Sequence, residues 1–468
     1  MIVTQRKSLC QRLLCCAFRG PVGLRPFLLG SKLNVLFVIC APLAFAAEIN
    51  HWSEAPTFIL AMLAIIPLAE RLGYLTEQLT LHTNDTLGGM LNATFGNAVE
   101  TLMSVVALVK AKDALVNDKP EDVAFFLNLV QTSLLGSMLS NLLLVQGSAF
   151  FIGGLRHPMQ SFSREGAVTS TGLLVMATLA LSVPTMMWSM QTVSTPTQGE
   201  LAFSRFVSFV LLIIYLCFCL FQLGTHRFLF EKGNIVHKAT KLVDDSLPKG
   251  AVVTPELAPQ QEDAGIELTP PQPLALTSAP ANTAFDEDVE SSPPTIVTDG
   301  EEAPVPLHCE ETEEPEIGLV FSVVYLVIST VAVSFVSHVV VEAAQGAVTS
   351  LNLDAMFVGG VILPIVGNAA EHASALMFAW KDKMDTSIAI AVGSAIQIPL
   401  FVLPVCVLCA WALEVPLSLN INRFLMSAVV LTSLAVSFTL HAGASHWLHG
   451  LILIFEYVII AAAFWFHD

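Results

Sequence analysis

Long apolar stretches separated by short polar segments make up most of this chain of 468 residues. A helix needs about 20 apolar residues to cross a bilayer, and stretches of about that length recur from one end of the chain to the other. They lie near residues 33–50, 55–75, 86–110, 122–150, 166–189, 201–224, 317–341, 354–380, 386–413, 424–441 and 446–466. The pattern predicts an all-α polytopic membrane protein with about 11 transmembrane helices.

Composition and charge agree with this interpretation. Hydrophobic residues make up 54% of the chain and charged residues 13%, against roughly 25% charged residues in soluble domains. The net charge of −18 is concentrated in residues 230–316, which hold 19 acidic and 4 basic residues and many prolines. This segment has too little apolar surface to offset its ordering entropy, so we expect a mostly disordered loop. The expected partner is the lipid bilayer, no nucleic-acid partner is expected, and a homo-oligomer stays open.

The distribution of positive charge predicts the orientation, because lysine and arginine favour the cytosolic side of a membrane. With a cytosolic N-terminus and eleven alternating spans, 16 of the 21 lysines and arginines lie on the cytosolic side. The five on the opposite side are Lys110, Lys112, Lys119, Arg205 and Arg423. This arrangement places the acidic loop in the cytosol.

One sequence pattern occurs twice without a gap. Residues 88–100 read GGMLNATFGNAVE and residues 359–371 read GGVILPIVGNAAE, so both contain G-G, six residues, and G-N-A-x-E. A Gly-Ser pair follows each copy, at Gly136-Ser137 and at Gly393-Ser394. The two copies lie on the third and eighth predicted spans, and this odd offset makes them cross the membrane in opposite directions. That is the inverted-repeat arrangement of many secondary transporters.

The repeat divides the chain into segments. We predict one extra N-terminal helix plus two inverted five-helix repeats, with a cytosolic tail and a loop between the repeats. The segments are a basic tail at 1–32, the extra helix at 33–50, the first repeat at 55–224, the acidic loop at 230–316 and the second repeat at 317–466.

The residue types of the repeat predict a cation site. Asn97 and Glu100 are three residues apart and would share a helical face, as would Asn368 and Glu371. Oxygen ligands of this kind suit Ca²⁺, whereas no soft ligand that would favour zinc or copper lies in the motifs. Carboxylates in a membrane interior are costly and therefore mark function. Without a cation, their repulsion and desolvation favour protonation, so the site would hold either Ca²⁺ or protons.

Further residues are candidates for supporting the cation or proton path. A helix break is expected beside Gly96 and Gly367, where backbone carbonyls would be freed. His372 could shuttle protons, although ordinary packing explains it equally well, and Glu77 and Glu342 are favoured as lining the access routes rather than anchoring helix ends. The remaining candidates lie on the two predicted helices that carry the Gly-Ser pairs. They are Ser137, Ser140, Ser394 and Gln397.

These motifs, NATFGNAVE with GSMLSNLLLV and VGNAAEHA with GSAIQIPLFV, resemble those of the calcium/proton exchangers of the cation/Ca²⁺ exchanger superfamily, particularly fungal vacuolar ones. The resemblance covers most of the chain from Pro67 onward, apart from the acidic loop. It implies that Asn97, Glu100, Asn368 and Glu371 line the central cation site, supported by Ser137, Ser394 and Gln397. It also implies transport of Ca²⁺ against H⁺ across a vacuolar membrane, without a cofactor.

Three alternatives stay open at this point. A Na⁺-coupled Ca²⁺ exchanger could use the same scaffold. A cation channel fits less well, because two carboxylates in an inverted pair suit alternating access better than a symmetric pore ring. An intramembrane enzyme is disfavoured because the chain has no H-E-x-x-H and no G-x-S-x-G motif.

Overall fold

A computed structural model describes residues 31–83, 91, 95–188, 196–226 and 315–466. Within these ranges the chain is helical apart from short loops and one two-stranded sheet. The predicted acidic loop lies outside the described residues except for its last two positions, as do the first 30 residues and the Gly-Gly pair at 88–89.

The described helices follow the predicted spans. In chain order they are α1 (Asn34–Ile49), α2 (Glu54–Thr80), α3 (Ala98–Val116), α4 (Pro120–Arg156), α5 (Arg164–Trp188), α6 (Gln198–Thr225), α7 (Leu319–Ser350), α8 (Ala355–Gly367), α9 (Ala369–Trp380), α10 (Met384–Ala412), α11 (Arg423–Leu440) and α12 (Trp447–Trp465). Strands β1 (Gln160–Ser161) and β2 (Ala444–Ser445) pair antiparallel.

Eight of the described helices are long and apolar enough to cross a membrane, and α8 with α9 forms a ninth span that is bent by 54°. Helix α1 is apolar but has 16 residues, and α3 carries Glu100, Lys110, Lys112 and Asp113. The polytopic all-α fold is therefore confirmed, while the count of eleven spans stays a prediction.

Equivalent helices of the two halves run in opposite directions. Arg164 at the start of α5 lies 2.8 Å from His441 at the end of α11. Thr185 near the other end of α5 accepts a hydrogen bond of 3.1 Å from the backbone N–H of Ile421, just before α11 begins. Helices α5 and α11 are therefore antiparallel, as inverted repeats require.

The first helices of the two halves, α2 and α7, are also antiparallel. Gln78, near the end of α2, accepts a hydrogen bond of 2.8 Å from the backbone N–H of Glu316, which precedes α7. At the opposite end, the Glu54 carboxylate at the start of α2 lies against Gly346 near the end of α7. The second antiparallel pair confirms the inversion.

The contacts between helix ends define two ends of the bundle. At one, which we call the Arg164 end, Arg164 meets His441 and Arg156 donates to the carbonyl of Trp380. At the other, the Lys112 end, Lys112 pairs with Glu414 at 3.0 Å. The topology that we predict places the Arg164 end in the cytosol and the Lys112 end in the lumen.

Two separate hydrophobic clusters fill the interior. One is built from α1, α2 and α7, with residues from the start of α3 and from α8. The other joins α4, α5, α6, α10, α11 and α12 with the rest of α3, further residues of α8, and α9. The repeat motifs lie where the two clusters meet, because α3 and α8 contribute buried residues to both.

A close contact between the repeats brings Gly136 of α4 against the backbone of Gly360 in α8. A methyl group at position 136 would overlap that backbone, whereas a methyl group at the equivalent Gly393 would meet no atom within 4 Å. Small residues allow this approach between membrane helices. The contact sets the distance between α8, which precedes the second motif asparagine, and α4 of the first repeat.

Substitution of Gly136 tests this contact against a matched control. We expect Gly136→Ala to destabilise the purified protein by about 1–3 kcal/mol, because the new methyl group must push α8 away. Gly393→Ala should leave stability nearly unchanged. Thermal unfolding in detergent micelles measures both, and equal stability of the two variants would contradict the close approach.

Candidate functional site

Both repeat motifs break their helix at the asparagine. Helix α8 ends at Gly367 and α9 begins at Ala369, so Asn368 lies between them; in the first half Asn97 directly precedes α3. The breaks therefore fall one residue after Gly96 and Gly367, beside the glycines where they were expected. Each asparagine is the N-cap residue of the helix that carries its glutamate, three residues before that glutamate.

Each asparagine side chain binds the opposite repeat instead of capping its own helix. Ser137 Oγ donates to Asn368 Oδ1 at 2.8 Å, and Asn368 Nδ2 donates to the Ser137 carbonyl at 3.0 Å. In the other half, Ser394 Oγ donates to Asn97 Oδ1 at 2.9 Å, and Asn97 Nδ2 donates to the Ser394 carbonyl at 3.5 Å. We call these two reciprocal pairs the serine–asparagine clamps.

The clamps differ in one partner. Gln397, one turn beyond Ser394, accepts a second hydrogen bond from Asn97 Nδ2 at 2.8 Å. The equivalent residue in the first half is Ser140, which is buried and has no hydrogen-bond partner for its hydroxyl. Asn141 donates to Ser394 Oγ at 3.0 Å. The site is thus related by an approximate two-fold axis but is not symmetric.

The two glutamates occupy the first turns of α3 and α9, where the helix N-terminus favours negative charge. Glu100 is 4% exposed, and Glu371 is partly exposed. The two carboxylates interact electrostatically with each other. Glu100 Oε1 and Glu371 Oε2 are buried without a hydrogen-bond partner, so the site has two oxygens that a cation or a proton can satisfy.

The second helix break leaves room for the Glu100 carboxylate. A methyl group added to Gly367 would lie 2.8 Å from Glu100 Oε1, so glycine at this position lets the carboxylate approach the broken backbone of the opposite repeat. In the first half, a methyl group on Gly96 would lie 3.9 Å from Gln397 Oε1. The carboxylates, amides and hydroxyls present are hard oxygen ligands of the type that Ca²⁺ takes.

The structure does not bring every candidate residue into this cluster. Glu342 forms an ion pair with Lys110, which links α7 to α3 toward the Lys112 end. Glu77 is exposed near the other end of α2. His372 is half-buried next to Glu371 on α9. No contact described for these three joins them to the clamps, and their roles in access or proton transfer stay predictions.

Asn141 belongs to the site although sequence reasoning did not single it out. Its hydrogen bond to Ser394 connects the first repeat to the clamp of the second. The available signal was its place in LLGSMLSNLLLV, next to Ser140. The equivalent residue of the second half is Ile398, so a comparison that looks for identical residues in both halves passes over it.

A family model described as sodium/calcium exchanger protein matches residues 54–224 and 321–466. The chain belongs to the sodium/calcium exchanger protein family.

Two relatives of this chain are plant proteins. The vacuolar cation/proton exchanger 2 of rice (Oryza sativa subsp. japonica) is 36% identical to this member of the family, over 96% of this chain and 85% of the rice protein. The vacuolar cation/proton exchanger 5 of Arabidopsis thaliana is 34% identical, over 94% of this chain and 82% of the plant protein. These relatives are transporters, not enzymes.

Solved structures show the same fold. The structure of native YfkE superposes on this chain with a TM-score of 0.63, and the two sequences are 27% identical. The superposition covers 92% of this chain and 99% of YfkE. A second structure of that protein, described as a Ca²⁺/H⁺ antiporter, has a TM-score of 0.62 at 26% identity and covers 92% and 98% of the two chains.

A double-mutant cycle tests the clamp between Ser137 and Asn368. Because the Ser137 hydroxyl donates to Asn368 Oδ1, Ser137→Ala and Asn368→Ala should be coupled by about 0.5–3 kcal/mol in the free energy of unfolding. The non-bonded combination of Ser137→Ala with Asn97→Ala should be closer to additive. Chemical denaturation in detergent measures the four corners of each cycle, and full additivity of the first cycle would refute the clamp.

Proposed function

We propose that this protein carries Ca²⁺ from the cytosol into an acidic organelle in exchange for protons, by alternating access at a site formed by Glu100 and Glu371. The observation that carries the proposal is the pair of buried, unpartnered carboxylate oxygens from oppositely oriented repeats. Asn97 and Asn368 complete the site, since each amide oxygen keeps one lone pair beyond its bond from serine. The relatives named cation/proton exchangers support protons as the counter-ion.

Charge balance explains the exchange. Two carboxylates neutralise one Ca²⁺, and when it leaves, two negative charges close together in a dry site are unstable unless protons replace it. The site therefore binds Ca²⁺ or protons but does not hold both well. Lumenal acidity favours the protonated site and releases Ca²⁺, whereas cytosolic pH favours proton release and Ca²⁺ binding.

The different exposure of the two glutamates indicates which end is open. Helix α9 leads from Glu371 to the Arg164 end, and α3 leads from Glu100 to the Lys112 end. Glu371 is partly exposed while Glu100 is buried, and the Lys110–Glu342 ion pair joins α3 to α7 beyond Glu100. We infer from these positions that this state is open toward the Arg164 end, which we place in the cytosol. The membrane that we assign is the vacuolar membrane.

Replacing either glutamate by glutamine should abolish uptake of Ca²⁺ driven by a pH gradient, because one fixed charge is lost and one proton can no longer be exchanged. Uptake into acid-loaded proteoliposomes, with and without a protonophore, measures this. Glu165→Gln, at an exposed position in the first turn of α5, is the matched control and should transport normally. Substantial uptake by both Glu100→Gln and Glu371→Gln would refute the assignment.

The pH dependence of Ca²⁺ binding is a second test. Because Ca²⁺ needs deprotonated carboxylates, affinity should fall as the pH falls, by up to about 100-fold per pH unit where two protons compete and about tenfold where one does. Glu371→Gln should have the shallower slope. Calorimetric titration at several pH values measures it. Affinity that is insensitive to pH but weakened by Na⁺ would instead select a Na⁺-coupled exchanger.

A further inference from the structure

A cavity of about 320 Å³, which we call the α6 cavity, lies between α5, α6 and the first half of α10. It begins at the Arg164 end, beside Ser163 and Asp385, and extends along α10 to Gln397. Asp385 and Gln397 are 12 residues apart, which is about 18 Å of helix. One water molecule occupies roughly 30 Å³ in the liquid, so the cavity has room for several.

The inner end of the α6 cavity borders the candidate cation site. Gln397 lines the cavity, is partly exposed, and accepts the hydrogen bond of 2.8 Å from Asn97 Nδ2. Gly393 also lines it, and a methyl group there would meet no described atom within 4 Å. None of the described lining residues belongs to α2, α3 or α9. The cavity therefore approaches the Asn97 side of the site along α10, rather than along α9 on the side of Glu371.

Polar groups that suit a hydrated cation interrupt the apolar wall of the cavity. Asp385 is the one residue with a full charge among the described residues that line it, and its Oδ1 accepts a hydrogen bond of 2.7 Å from the backbone N–H of Ser163. Further polar groups come from Ser170 of α5, Gln222 of α6 and Gln397 of α10. Carboxylate, amide and hydroxyl oxygens are ligands that Ca²⁺ accepts, and a negative charge at the outer end raises the local concentration of cations.

The first half of the chain has an aromatic side chain where the second half has Gln222. The buried positions of α6 and α12 align when Tyr215 is matched to Tyr457, and Phe464 is then the counterpart of Gln222. Phe464 is 1% exposed and packs edge-on against Phe424, with ring centroids 5.4 Å apart. Helix packing at this position therefore does not require a polar residue or a cavity, and the second half has both.

We propose that the α6 cavity is a water-filled route by which hydrated Ca²⁺ passes from the Arg164 end to the cation site. The ion is attracted by Asp385, moves past Gln222 and reaches Gln397, the hydrogen-bonded partner of Asn97. Gln222 keeps the route polar and open. The route is an entrance to the exchange site proposed above and rests on that proposed function.

Phenylalanine at position 222 tests the route by copying the first half. We expect Gln222→Phe to lower the initial rate of Ca²⁺ uptake roughly tenfold, because an apolar ring narrows and dries the path. The equilibrium affinity for Ca²⁺ should keep its wild-type value, because a barrier in the route slows binding and release equally. Uptake into proteoliposomes and calorimetric titration measure the two quantities. The matched control is Cys217→Phe, which adds a ring at an exposed position of the same helix outside the cavity lining and should change neither.

Two native cysteines test whether water fills the cavity. Cys219 lines the cavity, whereas Cys217, two residues away, is exposed but does not line it. A charged methanethiosulfonate reagent forms a mixed disulfide with a thiolate in water, with release of methanesulfinate, but does not enter lipid. We compare two variants of the full chain that each keep one of these cysteines and replace the other eight. Reagent at the Arg164 end should label Cys219 about tenfold faster than Cys217, and uptake should fall as Cys219 is labelled.

The outcomes separate this inference from the exchange function. Wild-type uptake in Gln222→Phe would overturn the route, as would equal labelling rates for the two cysteines or labelling of Cys219 without loss of uptake. Reaction of Cys219 with uncharged N-ethylmaleimide but not with the charged reagent would also overturn it, because lipid would then fill the cavity. Wild-type protein without uptake driven by a pH gradient would instead contradict the exchange function, and the labelling rates do not depend on that uptake. If Gln222→Phe does not fold, as judged by gel filtration, the cysteine pair decides the question.

Discussion

Two serine–asparagine clamps hold the broken helices of the two repeats against each other. A helix break in a membrane frees backbone groups that lipid cannot satisfy, so it persists only where protein or water meets them. Here each break is stabilised by a side chain that exchanges two hydrogen bonds with a serine of the opposite repeat. The clamps thereby fix the helix N-termini of α3 and α9, and with them the positions of both glutamates.

The candidate site lies between two hydrophobic clusters. The helices α1, α2 and α7 share one cluster, and most of the remaining helices share the other. Packed interiors move as units, since they are close-packed and deform little. The motif residues lie at the boundary between these two clusters.

The two halves of the site depart from two-fold symmetry. Asn97 donates a second hydrogen bond to Gln397 in one clamp, whereas the equivalent Ser140 is buried without a hydrogen-bond partner. Glu100 is buried, and Glu371 is partly exposed.

The sequence by itself determined the membrane class, the family, the inversion of the repeats and the identity of the paired glutamates. Hydrophobic length and a gapless repeat of charged and amide residues are properties of the chain that need no three-dimensional information. The positions of Glu342 and Glu77, each between a motif helix and the span before it, predict that they line access routes, and the structure places Glu342 in an ion pair with Lys110.

Only the tertiary structure decided which side chains of one repeat bind the other. Spacing along the chain indicates that Asn97 and Glu100 lie close together, but it does not indicate that Asn97 is an N-cap residue whose amide oxygen accepts a hydrogen bond from Ser394. The link between Asn141 and Ser394 joins residues that are far apart in sequence. Such contacts depend on how the helices pack, and no local pattern in the chain specifies them.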